Sequence, residues 1–106
     1  MREDKDINII KNLKTIEWLK AEQLSSVAEL FQVLNYGDED SKEEIINIIS
    51  NTILISYLLG KKLGISYEKM DANIQNKLRL SLAEENNRRE WVEDLSGLLA
   101  YFMEKG

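Results

Sequence analysis

A chain of 106 residues fits one domain, and with no Cys and no His it excludes disulfides, thiol nucleophiles, imidazole bases and the usual zinc sites. A net charge of -5 argues against a general nucleic-acid binder or an anionic-membrane binder, because both need a basic face. With Pro absent, only 5 Gly, 43% hydrophobic and 31% charged residues, the composition is that of a mostly helical globule, and Mg²⁺ is the common metal it favours.

The N-terminus, "MREDKDINII", is charged and its apolar run is too short for a signal peptide. Asp6 is the expected N-cap of a first helix that carries Ile9, Ile10, Leu13 and Ile16 at helical spacing. Trp18, Leu19, Leu24, Val27, Leu30, Phe31 and Leu34 continue the pattern, with a break near Thr15 left open. "NYGDEDSK" is a loop with a Gly and an acidic cluster. Ser41 followed by Glu44 fits a capping box at the start of the next helix. That helix stops at "KKLG": Lys61 and Lys62 suit its negative end, and Gly64 suits a left-handed residue beyond it. Ser66 is expected to cap a third helix with Met70, Ile74 and Leu78 on one side. "LRLSLAEENNRRE" is ambiguous around Ser81 and Asn86–Asn87, and a last helix follows with Trp91, Leu95, Leu98, Leu99 and Phe102 as its apolar side. The pattern predicts an all-α bundle of four to five helices in a single domain, residues 1–106.

The segment Ile45–Leu59 is apolar nearly all round and shorter than the ~20 apolar residues that span a membrane. A chain of this size buries only about two-thirds of its surface on folding. Part of that helix is therefore expected to meet a second subunit, the alternative being the central helix of a monomer. The expected location is the cytoplasm, with no membrane and no nucleic-acid partner.

Two polar stripes interrupt this pattern. One runs through Asp40, Glu44, Asn47, Ser50 and Asn51; the other through Trp18, Glu22, Ser25, Ser26 and Glu29. Each has spacings of three and four, which puts its members on one helix face. Buried polar groups cost ~1–3 kcal/mol each when unpartnered. The stripes either satisfy each other and fix register, line a pocket for a polar ligand, or, for the Glu22–Glu29 stripe, form a solvated face.

"SSVAELFQVL", then an acidic loop, then "EEIINIISNTILISYLLGKKLGI" resembles the MazG-like group of all-α nucleotide pyrophosphohydrolases. The resemblance spans about Trp18 to Leu80 and rests on helix order, loop placement and the "KKLGIS" ending. It implies an oligomer, usually a dimer or tetramer, in which four acidic residues of an E-x-x-E and an E-x-x-D helix hold Mg²⁺ against the phosphates of a nucleoside triphosphate. Water then attacks and releases a monophosphate and pyrophosphate. Anchored on Glu29–Leu30, the first pair falls on Ser26 and Glu29. Counted back from Leu63–Gly64–Ile65, the second falls on Ile48 and Asn51. One carboxylate of four remains, and Asn51 stands as the remnant of a ligand. Glu22 and Glu44, one turn away, are the substitutes available to a metal site built on Glu29. "EENNRREWVEDLSGLLAYF" resembles a smaller MazG-like subgroup that ends in an acidic, Trp-containing helix and whose carboxylate set is also incomplete.

The expected function is therefore binding of a nucleotide or related phosphate ligand, with weak or absent hydrolysis. Glu29 and Asn51 form its centre, with Ser26, Glu22 and Asn47 beside them. Lys77 and Arg79 are the candidate phosphate contacts, against a reading as surface charges. Trp18 either stacks on a base or belongs to the core. Three alternatives stay open: a Mg²⁺-dependent nucleoside triphosphate pyrophosphohydrolase, a protein that sequesters a nucleotide signal, and a structural or regulatory helical oligomer without a ligand.

Overall fold

The computed structural model describes residues 2–84 and 88–105, with side chains from residue 10 onward. Among these residues the chain is all-α: α1 (Arg2–Tyr36), a single 3-10 turn (Glu39–Ser41), α2 (Lys42–Lys62), α3 (Tyr67–Leu82) and α4 (Arg89–Lys105). They form two compact units, residues 1–65 and 66–106. No single helix among the described residues is long and apolar enough to cross a membrane.

α1 is one helix of 35 residues. It begins at Arg2 and not at Asp6, because neither Gly nor Pro lies between them to end it. It also runs through Thr15 unbroken. The Thr15 hydroxyl donates to the Lys11 carbonyl one turn back (2.9 Å), a bond compatible with continued helix. The helix closes with Gly37 N–H on the Val33 carbonyl (2.7 Å). A β-carbon at Gly37 would stand 2.4 Å from that carbonyl oxygen and 2.6 Å from Ser41 Oγ, so the turn tolerates nothing larger.

A capping box is present but lies three residues before the expected Ser41–Glu44 pair, joining Asp38 and Ser41. Asp38 caps the 3-10 turn: its Oδ1 accepts from Asp40 N–H (3.0 Å), while its own N–H donates to Ser41 Oγ (3.0 Å). Ser41 is thereby used inside the loop and makes no side-chain cap to α2. Glu43 and Glu44 in the first turn of α2 and Lys61 and Lys62 in its last complement the helix dipole.

α2 ends in a Schellman motif. Gly64 N–H donates to Lys61 C=O (3.0 Å) and Ile65 N–H to Gly60 C=O (2.9 Å), with Gly64 at φ 88°. α3 starts at once, with Ser66 Oγ accepting from Lys69 N–H (3.1 Å).

In the first unit α1 and α2 pack antiparallel, since Gln23 meets Ser56 and Ser26 meets Thr52. The seam uses Leu19, Ser26, Leu30 and Val33 from α1 and Ile45, Ile48, Thr52, Ile55 and Leu59 from α2, with Leu19, Ser26, Ile48 and Ile55 buried. One helix covers only one stripe of another. The rest of α2 is consequently open in the single chain and is not the enclosed central helix of a monomer: Ile46, Ile49, Ile53, Leu54 and Leu58 are exposed. Asn47, Ser50 and Asn51 are exposed too.

In the second unit α3 packs on α4. Leu78 and Leu95 are its buried residues, flanked by half-buried Met70, Ile74, Val92, Leu99 and Phe102. Trp91 and Leu98, read from spacing as part of that side, are 54% and 45% exposed. Asn86 and Asn87 lie outside the described residues.

The Schellman glycine gives the first test. Gly64→Ala places a β-carbon at a positive φ, and although nothing lies within 4 Å of it, the left-handed conformation itself costs about 1–2 kcal/mol. Urea denaturation should show a loss of that size, and an unchanged midpoint would contradict the assignment.

Candidate functional site

The site is built on the α1–α2 seam. Ser26 is 3% exposed, and a hydroxyl at that depth needs partners. It shares a hydrogen bond of 2.8 Å with Thr52 Oγ1 and lies 3.3 Å from the Ile48 carbonyl, to which Thr52 Oγ1 donates at 2.9 Å. Two hydroxyl protons serve these three contacts. The two shorter distances identify the dominant arrangement: Thr52 donates to Ile48, and Ser26 donates to Thr52. Gln23 Nε2 adds a bond to Ser56 Oγ (2.8 Å) one turn away. Register between the helices is thus fixed by Ser26, Thr52, Gln23 and Ser56 rather than by the amides of Asn47 and Asn51.

That register brings Glu29, Glu44, Asn47, Ile48 and Asn51 to a common open cavity of about 410 Å³. Of the four positions implied by the E-x-x-E and E-x-x-D frame, Glu29, Ile48 and Asn51 line it, and Ser26 lies directly beneath, bonded toward Ile48 and Thr52. Glu44 also lines a second cavity of about 490 Å³ with Gln32, Val33, Tyr36, Gly37, Asp38 and Ser41, so the two cavities of the α1–α2 trough share Glu44 as a common wall.

The other sequence-derived candidates are not among the residues that line this cavity. Glu22 is half-buried on α1, one turn before Ser26, and does not line it. Trp18 is 60% exposed, which removes the core reading. It stands eleven residues before Glu29, about 16 Å along the helix. Lys77 and Arg79 are exposed on α3, in the second unit.

Spacing alone passed over Thr52. Its signal was available: Thr52 completes the stripe Ile45, Ile48, Ile55, Leu59 at intervals of three and four, where a β-branched residue with a hydroxyl is the one polar substitution. The loop cavity had no comparable signal, since it depends on the turn made at Gly37 and Asp38.

The donor set does not fit a resident metal ion. Mg²⁺ requires near-octahedral oxygen coordination, with anionic ligands favoured. The cavity offers two carboxylates, Glu29 and Glu44, and the amide oxygens of Asn47 and Asn51. Ile48, 6% exposed, puts a hydrocarbon where a carboxylate would close the set. Among the described residues no group of three or more acidic side chains is close enough to hold an ion. What the arrangement does provide is a shallow, anionic, amide-bearing surface with an apolar floor, suited to hydrogen-bond donors on a ligand and to a cation that a ligand brings with it.

Comparison with known proteins gives one family: the model of the MazG-like family matches residues 9–95, from α1 into α4. Among curated proteins and among solved structures nothing matches.

The seam contact is testable by a double-mutant cycle. Ser26→Ala and Thr52→Val should each cost about 1 kcal/mol, and the double variant should cost less than their sum by a similar amount, because removing both hydroxyls leaves no orphaned partner. Strict additivity in urea denaturation would show that the two hydroxyls do not act as a pair.

Proposed function

Because the chain belongs to the MazG-like family, we propose that it binds a nucleotide or related phosphate ligand at the α1–α2 trough and hydrolyses it slowly or not at all. The observation that carries this reading is the cavity at Glu29, Glu44, Asn47, Ile48 and Asn51: the residues at the family's ligand-bearing faces converge on it, and a buried isoleucine takes the place of a metal-binding carboxylate. Pyrophosphohydrolysis needs charge on the phosphates neutralised and a water held for attack. The cavity supplies neither through its own side chains. Its two carboxylates repel bare phosphates, so the ligand enters as a complex with its own divalent cation. Asn47 and Asn51 then serve as hydrogen-bonding groups, with Ser26 and Thr52 holding the backbone beneath them. By chemistry alone, Lys77 and Arg79 are proposed as phosphate contacts and Trp18 as a stacking surface for a base; none of the three lines the cavity.

The protein acts in this proposal as a homodimer or homotetramer, which is favoured by a second observation. Leu24, Val27, Phe31 and Leu34 form an exposed apolar row on α1 at spacings of three and four, and Ile46, Ile49 and Ile53 form another on α2. Apolar rows of this extent on one helical hairpin are characteristic of association surfaces. A structural or regulatory oligomer without a ligand shares this feature, and ligand binding separates the two.

Thermal denaturation with nucleoside di- and triphosphates is the direct experiment. A ligand at ~100 Kd should add ~2.7 kcal/mol of stability. Stabilisation is expected when nucleotide and Mg²⁺ are present together and not with Mg²⁺ alone, with pyrophosphate release slow or undetectable. Robust turnover that survives Glu29→Gln would place the chemistry elsewhere, and no stabilisation by any nucleotide would leave the oligomer reading standing.

The missing carboxylates can also be supplied. Ile48→Glu combined with Asn51→Asp should increase Mg²⁺ affinity measured by calorimetry at least about tenfold, at a cost of several kcal/mol in stability from buried charge. A folded double variant whose Mg²⁺ affinity is unchanged would show that these positions do not face a common ion.

A further inference from the structure

α4 carries two apolar stripes and its own unit uses one of them. Val92, Leu95, Leu99 and Phe102 are buried or half-buried on the side packed with α3. Trp91, Leu98 and Tyr101 lie about 100° round the helix from that side and are 54%, 45% and 57% exposed. Residues 91, 94, 98, 101 and 105 alternate spacings of three and four, the repeat that keeps a seam facing a neighbouring helix.

The charges in this seam indicate what covers it. Asp94 and Lys105 bracket Leu98 and Tyr101. They are eleven residues apart, about 16 Å along the helix, and do not reach each other within the chain. Lys105 Nζ rests 5.6 Å from the ring centres of Tyr101 and Phe102, and Asp94 makes no ion pair among the described residues. A second α4 laid antiparallel about a two-fold axis midway between Leu98 and Tyr101 sets Leu98 opposite Tyr101 of the partner subunit and Asp94 opposite Lys105 of the partner subunit. Symmetry makes each contact twice. A parallel pairing would set aspartate on aspartate and lysine on lysine, so the charges select the antiparallel one.

We propose that α4 is a self-association surface on which a second copy of this chain docks antiparallel, with Leu98 and Tyr101 as its apolar contacts and reciprocal Asp94–Lys105 pairs fixing its direction. Residues 96–106 lie beyond the family match, so most of this surface is a feature of this chain beyond the shared region. It belongs to the second unit, whereas the ligand site and the apolar rows of α1 and α2 belong to the first. The seam is short, and the contact is at the weak end of specific interfaces.

Asp94→Lys and Lys105→Asp test the proposal as separate full-length variants and as an equimolar mixture, read by sedimentation at high micromolar concentration with helicity checked by circular dichroism. Each variant alone sets like charges opposite at both ends and should associate at least about tenfold more weakly than the parent chain. The mixture sets lysine against aspartate at both ends and should recover one step in assembly size. Cysteines give a readout of location that does not depend on the other surfaces, because the chain has none of its own. Asp94→Cys mixed with Lys105→Cys should form the mixed disulfide on mild oxidation, whereas Asp94→Cys alone should not, its two copies lying about 16 Å apart. Assembly unaffected by either charge reversal, a mixture no better than its components, or equal cross-linking in all samples would overturn the proposal.

Discussion

The first unit depends on the buried contact between Ser26 of α1 and Thr52 and Ile48 of α2. Apolar packing alone leaves two helices free to slide, because isoleucine and leucine stripes accept several registers at similar energy. A buried hydroxyl does not, because any register that separates Ser26 from Thr52 leaves a polar group unpaired at ~1–3 kcal/mol. Gln23 and Ser56 reinforce the same register from a more exposed position. Once it is set, Leu19 and Ile55 close the core and Glu29 arrives beside Asn47 and Asn51. The polar contact that holds the fold is thus also what assembles the cavity.

The cavity's chemistry follows from one substitution of kind. A carboxylate at position 48 would need a cation or a hydrogen-bond network to remain charged at that depth. Isoleucine has no such requirement and packs into the seam; in the proposed reading it occupies the place of a metal ligand. The remaining groups are suited to recognition: two carboxylates accept donors or a cation carried by a ligand, and two amides both donate and accept. A surface of this type holds a ligand without the positioned charge that would drive its cleavage, which is why binding and turnover separate in this account.

Much of the fold was legible in the sequence because its signals are local. Gly64 after Lys61 and Lys62 marks the Schellman end of α2, and Ser66 marks the start of α3; both depend on neighbours within six residues. The cap at Asp38 was not legible, because Asp38 and Ser41 are equally plausible by type and only the turn at Gly37 decides between them. Helical spacing puts Asn47 and Asn51 on one face of α2, whereas their grouping with Glu29 of α1 came from the family resemblance and not from spacing. The depth of the amides was not legible: an apolar run reads as enclosed, while exposure depends on how many helices are present to enclose it. Thr52 was hidden for the related reason that a single polar atom within an apolar stripe acquires meaning only from its partner on the other helix. Trp18 and Trp91 likewise read as core by type, and both lie largely exposed in the single chain.

The most direct measurement is the pattern of backbone amide chemical-shift changes when a nucleoside triphosphate and Mg²⁺ are added together to the ¹⁵N-labelled protein. Ligand in the trough should move the resonances of Glu29, Glu44, Asn47 and Asn51, with smaller changes at Ser26 and Thr52 beneath them, and leave pyrophosphate undetected over the course of the titration. Shifts confined to α3 around Lys77 and Arg79, or no shifts at all, would contradict a ligand site on the α1–α2 seam.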